Sequence, residues 1–121
     1  SFTMHRYKKL DIWKRAISLA TDIYEITTNF PVEGKYGLVS QLRRCVVSIG
    51  SNIAEGAGRN TNKDFKRFLS IAYASSCELE TQLIIAKNLN LLPADSSKVL
   101  LSEINQLQKM IFTFSKKLTS N

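Results

Sequence analysis

The stretch NKDFKRFLSIAYASSCELETQLIIAKNL, residues 62–89, decides the fold. Stepped at about 100° per residue, it places Phe65, Phe68, Leu69, Ala72, Ser76, Leu79, Leu83 and Ala86 on one side. No proline or glycine interrupts it, and no apolar–polar alternation competes, so the spacing predicts one long amphipathic helix. Thr61 stands where a helix N-cap would, with Asp64 three residues on, in the manner of a capping box.

Before this helix, Gly56-Ala57-Gly58 ends another one, predicted from about Tyr36 to Glu55. Its core seam is Leu38, Leu42, Cys45, Val46, Ile49 and Ile53. Gly56 is expected in the left-handed position that closes a helix. A first helix, Leu10 to Asn29, puts Trp13, Ala16, Ile17, Ala20, Ile23, Tyr24 and Thr27 on one side, and Pro31 stops it. Phe30 to Tyr36 is expected to be a loop. Beyond Leu91–Asp95, a fourth helix from Ser96 to Leu118 turns Leu100, Ile104, Leu107, Ile111, Phe114 and Leu118 inward. Four such helices with short connections predict an all-α, up-down-up-down antiparallel four-helix bundle. One domain covers residues 4–118. Ser1-Phe2-Thr3 ahead of Met4 reads as an expression scar, and residues 119–121 as a tail.

The 121 residues are 44% hydrophobic, which fits a globular chain. Seventeen basic residues against ten acidic give a net charge of +7, an excess that points to an anionic partner such as nucleic acid. No apolar run approaches the roughly 18 residues of a membrane span, and no signal peptide is evident, so the cytoplasm is the expected compartment. Cys45 and Cys77 form no disulfide framework or metal-ligand spacing and are expected to be small buried hydrophobes. His5, the single histidine, is expected to be solvated in an N-terminal arm. Ser75 and Ser76 lack a general base nearby, and Gly56-Ala57-Gly58-Arg59 is not a phosphate loop. No catalysis, cofactor or metal is therefore expected.

Two helices carry more apolar surface than one bundle face needs. On the third, Ile71, Ala74, Ile85 and Leu89 lie opposite the main face, with Glu78 among them. On the second, Val47, Gly50 and Ala54 make a small-residue stripe. A wide monomer core is one reading, and a self-association surface is the one we favour. Glu78 would then meet a basic group of a neighbouring subunit. Glu80 needs a partner, for which Arg43, Arg44, Arg59 and Asn52 are candidates. Asn52, Glu55, Gly56, Glu78 and Glu80 are expected to cap helices or bridge subunits. For nucleic-acid contact the candidates are Arg15, Arg43, Arg44, Arg59, Lys63, Lys66 and Arg67, then the stripe Lys98, Lys109 and Lys116. Tyr7 and Tyr73 are the rings expected at the surface, too few for base stacking, so recognition would be led by shape and charge. The competing function is a protein-interaction scaffold that uses the apolar back of the third helix.

Specific runs carry a family resemblance. They are Ser48-Ile49-Gly50-Ser51-Asn52-Ile53-Ala54-Glu55-Gly56-Ala57-Gly58-Arg59, then Phe65-Lys66-Arg67-Phe68-Leu69-Ser70-Ile71-Ala72, then Glu78-Leu79-Glu80-Thr81-Gln82-Leu83. With Tyr7-Lys8-Lys9-Leu10-Asp11-Ile12-Trp13 and Phe30-Pro31, the chain from Met4 to Leu118 resembles the four-helix-bundle proteins also called 23S rRNA intervening-sequence proteins. The resemblance implies a bacterial antiparallel four-helix bundle with no established enzymatic activity. It also implies likeness to the accessory protein of diversity-generating retroelements, a basic, barrel-like homopentamer that works with a reverse transcriptase and nucleic acid. A homopentamer, RNA or DNA, and a nucleic-acid-processing protein are thus the partners it implies.

Overall fold

The computed structural model describes residues 6–119, with only the backbone described for 32–36. His5, the three residues of the expected scar and the last two of the tail lie outside them. A 3-10 turn, Tyr7–Lys9, leads into α1 (Asp11–Thr27), α2 (Val32–Ala57), α3 (Asn62–Asn88) and α4 (Ala94–Lys117). Each helix packs on two others in a ring, α2 with α3 most closely and α1 with α4 least. The result is the antiparallel four-helix bundle that the periodicity predicts.

On α3, all eight predicted core residues are buried. Thr61 caps the helix as expected, its Oγ1 accepting from the Asp64 N–H at 3.1 Å. Phe65 is fully buried and packs edge-on to Phe114 of α4, ring centres 5.6 Å apart. Burying such a ring stabilises the fold by about 1.5–3 kcal/mol. The predicted seams of α2 and α4 are also inward; Leu38, Phe114 and Leu118 are half-buried at its ends.

Three expectations need correction. On α1 the buried face is Ile12, Ala16, Leu19, Ile23 and Thr27, while Ile17 and Tyr24 are exposed. The predicted face was therefore rotated toward α2. Second, α2 begins at Val32, so the expected loop Phe30–Tyr36 shrinks to Thr28–Pro31. Proline ends one helix but also starts the next: it lacks an N–H, and the first turn needs none. Pro31 leads into α2 and Pro93 into α4 in this way.

Third, Gly56 is helical, and none of the described glycines has positive φ. Its glycine answers to crowding. A Cβ there would lie 2.7 Å from Phe68 Cβ and 2.8 Å from Phe65 Cδ1. The left-handed residue is Asn90, φ 58°, after α3. There Asn90 N–H bonds Lys87 O and Leu91 N–H bonds Ala86 O, both at 3.0 Å, which is a Schellman closure.

Candidate nucleic-acid interface

The antiparallel topology puts the starts of α1 and α3 and the ends of α2 and α4 at one end of the bundle. Asn62 confirms the meeting: its Nδ2 donates to Thr119 O at 3.0 Å. Arg6, Lys8, Lys9, Lys14 and Arg15 come from the chain start and α1. Arg59 follows α2; Lys63, Lys66 and Arg67 open α3; Lys109, Lys116 and Lys117 close α4. Twelve of the seventeen basic residues thus share that half of the bundle with Asp11, Glu55 and Asp64, three of the ten acidic ones. Among the described residues only Arg67 has an ion-pair partner within 4.0 Å, Asp64 at 3.4 Å on the surface. The cations are therefore largely uncompensated.

The helix dipole favours Lys116 and Lys117, in the last turn of α4, but does not account for the cations at the helix starts. Lys63 lies in the first turn of α3, where the helix dipole disfavours a cation. Arg59 and Arg67 both lie against the Phe68 ring, 4.7 and 4.5 Å from its centre. Stacking holds the two guanidinium groups in place, and although Arg67 Nε donates to Asp64 Oδ1 at 3.4 Å, both groups keep further N–H donors. Lys116 stands over the Phe112 ring at 5.3 Å.

The other predicted contacts are not part of this end. Arg43 is committed within the chain. Its Nε donates to Thr27 Oγ1 at 3.0 Å, its Nη2 to Tyr24 O at 3.2 Å, and its guanidinium lies 4.6 Å from the Tyr24 ring centre. The last turn of α1 has no basic residue of its own, so Arg43 supplies the cation its C-terminus favours. Arg44 is exposed midway along α2. Lys98 is near the start of α4, about 27 Å along the helix from Lys116 at 1.5 Å per residue.

The apolar surplus is partly on the surface. Ile71 is 40% exposed, Ile85 44%, Leu89 61% and Val47 44%, with Ala74 and Glu78 also exposed and Ala54 half-buried. A wide monomer core therefore does not absorb the stripe on α3. Gly50 drops out of the exposed stripe on α2: a Cβ there would meet Ile17 Cδ1 at 3.2 Å and Ala16 Cβ at 3.6 Å, so α1 covers it.

The polar positions have partners of their own. Glu80 turns to α4, accepting from Gln108 Nε2 at 3.1 Å, and none of its proposed basic partners reaches it. Asn52 caps no helix; its Nδ2 donates to Ser48 O at 2.8 Å and Ser48 Oγ at 3.0 Å. Glu78 accepts from Gln82 Nε2 at 3.0 Å. Glu55 is exposed at the end of α2.

Cys45 is buried as expected, its Sγ 2.9 Å from Ser75 O, whereas Cys77 is exposed. Burial, then the charge of Glu78, pushes the Cys45 thiol up to about 12. Tyr73 is exposed, but Tyr7 is half-buried against Trp13; Tyr24, which the periodicity places inward, and Phe112 are exposed rings as well. Among the described residues no three His, Cys, Asp or Glu side chains group to hold a metal ion, and no helix is long and apolar enough to cross a membrane.

Four antiparallel helices with charge gathered at one end define an all-helical bundle protein. The chain belongs to the 23S rRNA-intervening sequence protein family, whose pattern matches residues 8–113. Among solved structures it is similar to a protein of unknown function from the S23 ribosomal protein family of Bacteroides thetaiotaomicron VPI-5482. The TM-score is 0.82 at 20% identity, over 88% of this chain and 96% of that one. An identity so low carries the shared fold alone. Comparison with curated proteins finds no match.

Proposed function

We propose that this chain is a non-catalytic, self-associating bundle that binds the phosphate backbone of RNA or DNA through its basic end. What carries the proposal is the convergence on one end of twelve basic residues from the chain start, α1, the turn after α2, α3 and α4, with one ion pair among the described residues. Arg59, Lys63, Lys66 and Arg67 form its centre, with Arg15, Lys109 and Lys116 beside them. Arg43 supports the fold, and Arg44 and Lys98 lie away from the main surface. Few rings stand among these cations, which favours recognition by charge and shape over base sequence.

Self-association would use Ile71, Ala74, Ile85 and Leu89, which no helix of the chain covers. Five copies is the number the family resemblance carries. The same exposed stripe favours a second reading, a scaffold that holds a protein partner there. Fluorescence titration of a mixed RNA and DNA pool separates the two. A phosphate binder loses affinity log-linearly as salt rises from about 50 to 200 mM. No binding at the lower salt would remove the nucleic-acid proposal.

A further inference from the structure

The fourth face of the bundle, between α1 and α4, carries charge of both signs, and the basic end supplies only part of it, Lys9, Arg15, Lys109 and Lys117. Along this least closely packed helix pair run three recesses. At the end opposite the basic one, a recess of about 600 Å³ is lined by Asp22, Glu25 and Asp95, with Ile26 and Val99 as apolar lining. Midway, Arg15 and Glu103 line a recess of about 240 Å³. At the basic end, a recess of about 550 Å³ is lined by Lys9, Lys109 and Lys117 over Leu10, Met110 and Phe114, with Asp11 at its edge.

The two charged recesses lie on either side of the middle one. On α4, Asp95 precedes Glu103 by about 12 Å, while Lys109 and Lys117 follow it by about 9 and 21 Å. A two-fold axis through the middle recess would therefore lay each acidic recess on the partner's lysine recess. Arg15 and Glu103 of the two copies would meet near the axis. Apolar side chains line both end recesses, so the contact would bury apolar surface as well as pair charge.

We propose that the α1–α4 furrow docks a second copy of this chain in antiparallel, two-fold fashion. The contact is separate from the α3 stripe and forms without nucleic acid, although it shares Lys9, Arg15, Lys109 and Lys117 with the basic end.

A charge swap tests it, in an Ile71→Glu, Ile85→Glu background that removes the α3 stripe. One variant carries Lys9→Glu, Lys109→Glu and Lys117→Glu; the other carries Asp22→Lys, Glu25→Lys and Asp95→Lys. At about 50 mM salt, where surface charges are weakly screened, the background protein is expected at twice the single-chain mass by light scattering. Each swapped variant is expected at the single-chain mass, and an equimolar mixture at twice that mass again. In the unswapped protein, a zero-length carbodiimide on mixed isotopically light and heavy chains is expected to join Asp22, Glu25 or Asp95 of one copy to Lys9, Lys109 or Lys117 of another. A single-chain mass for the background protein, a mixture that stays dissociated, or absence of those intermolecular links would overturn the proposal. Circular dichroism on each variant identifies any that fails to fold, and the crosslinks then decide on the unswapped protein.

Discussion

Replacing Gly56 with alanine should destabilise the bundle, although glycine to alanine inside a helix ordinarily gains about 0.5–1 kcal/mol. The new Cβ would lie 2.7 Å from Phe68 Cβ and 2.8 Å from Phe65 Cδ1, both closer than carbon atoms approach. Phe68 Cβ is fixed to its backbone, and the Phe65 ring is fully buried. Neither can yield without moving α3 away from α2, the most closely packed helix pair. Overpacking of this kind costs about 1–3 kcal/mol. With the helix gain subtracted, the net loss is up to about 2.5 kcal/mol. In urea at a slope near 2 kcal/mol/M, that lowers the unfolding midpoint by up to about 1.2 M. Gly37 is the control: it is helical and exposed, and its Cβ would meet nothing within 4 Å. Gly37→Ala should therefore raise the midpoint. Protein concentration is held fixed, since association would shift both curves. If Gly56→Ala stabilises as much as Gly37→Ala does, the close approach of α2 to Phe65 and Phe68 is wrong.

Other predictions follow from the same geometry. Arg43→Ala removes the bonds to Tyr24 O and Thr27 Oγ1, and should cost about 1–2 kcal/mol in urea unfolding while leaving nucleic-acid affinity nearly unchanged. Cys77 should react with iodoacetamide at pH 8 and Cys45 should not, by mass spectrometry of the native protein. The raised Cys45 pKa has a signed consequence: its unfolded thiol ionises near 9.0 and its folded thiol near 12. Over that window the folded state holds the extra proton, so its stability should fall as pH rises above 9, and Cys45→Ala should flatten the fall. Ile71→Glu with Ile85→Glu should lower the mass in light scattering and preserve helicity by circular dichroism; an unchanged mass counts against the α3 stripe.

The α3 face was legible because a single period sorts its side chains cleanly, and the neighbours on either side bury that face. The face of α1 was harder, because apolar residues cover about half its circumference. Only the positions of α2 and α4 decide that Leu19 goes in and Ile17 stays out. Gly56 shows the limit of local reasoning: Gly56-Ala57-Gly58 reads as a helix stop, while the actual constraint on Gly56 comes from two phenylalanines on the next helix. Arg43 is a similar case, since nothing local to α2 announces that its guanidinium will close α1. The basic residues were visible as separate clusters. Their convergence needs the antiparallel topology, which turns the starts of two helices and the ends of two others toward one surface. Halving each predicted helix and counting charge by end would have found it.

The most direct test of the central claim is the salt dependence of nucleic-acid binding for two sets of variants. Each phosphate neutralised contributes about 0.7–0.9 to the slope of log affinity against log salt. Replacing Lys63, Lys66 and Arg67 with alanine should therefore flatten that slope by about 2–3, while replacing Lys87 and Lys98 at the opposite end should leave it unchanged. Equal slopes for the two sets would contradict a binding surface at the basic end.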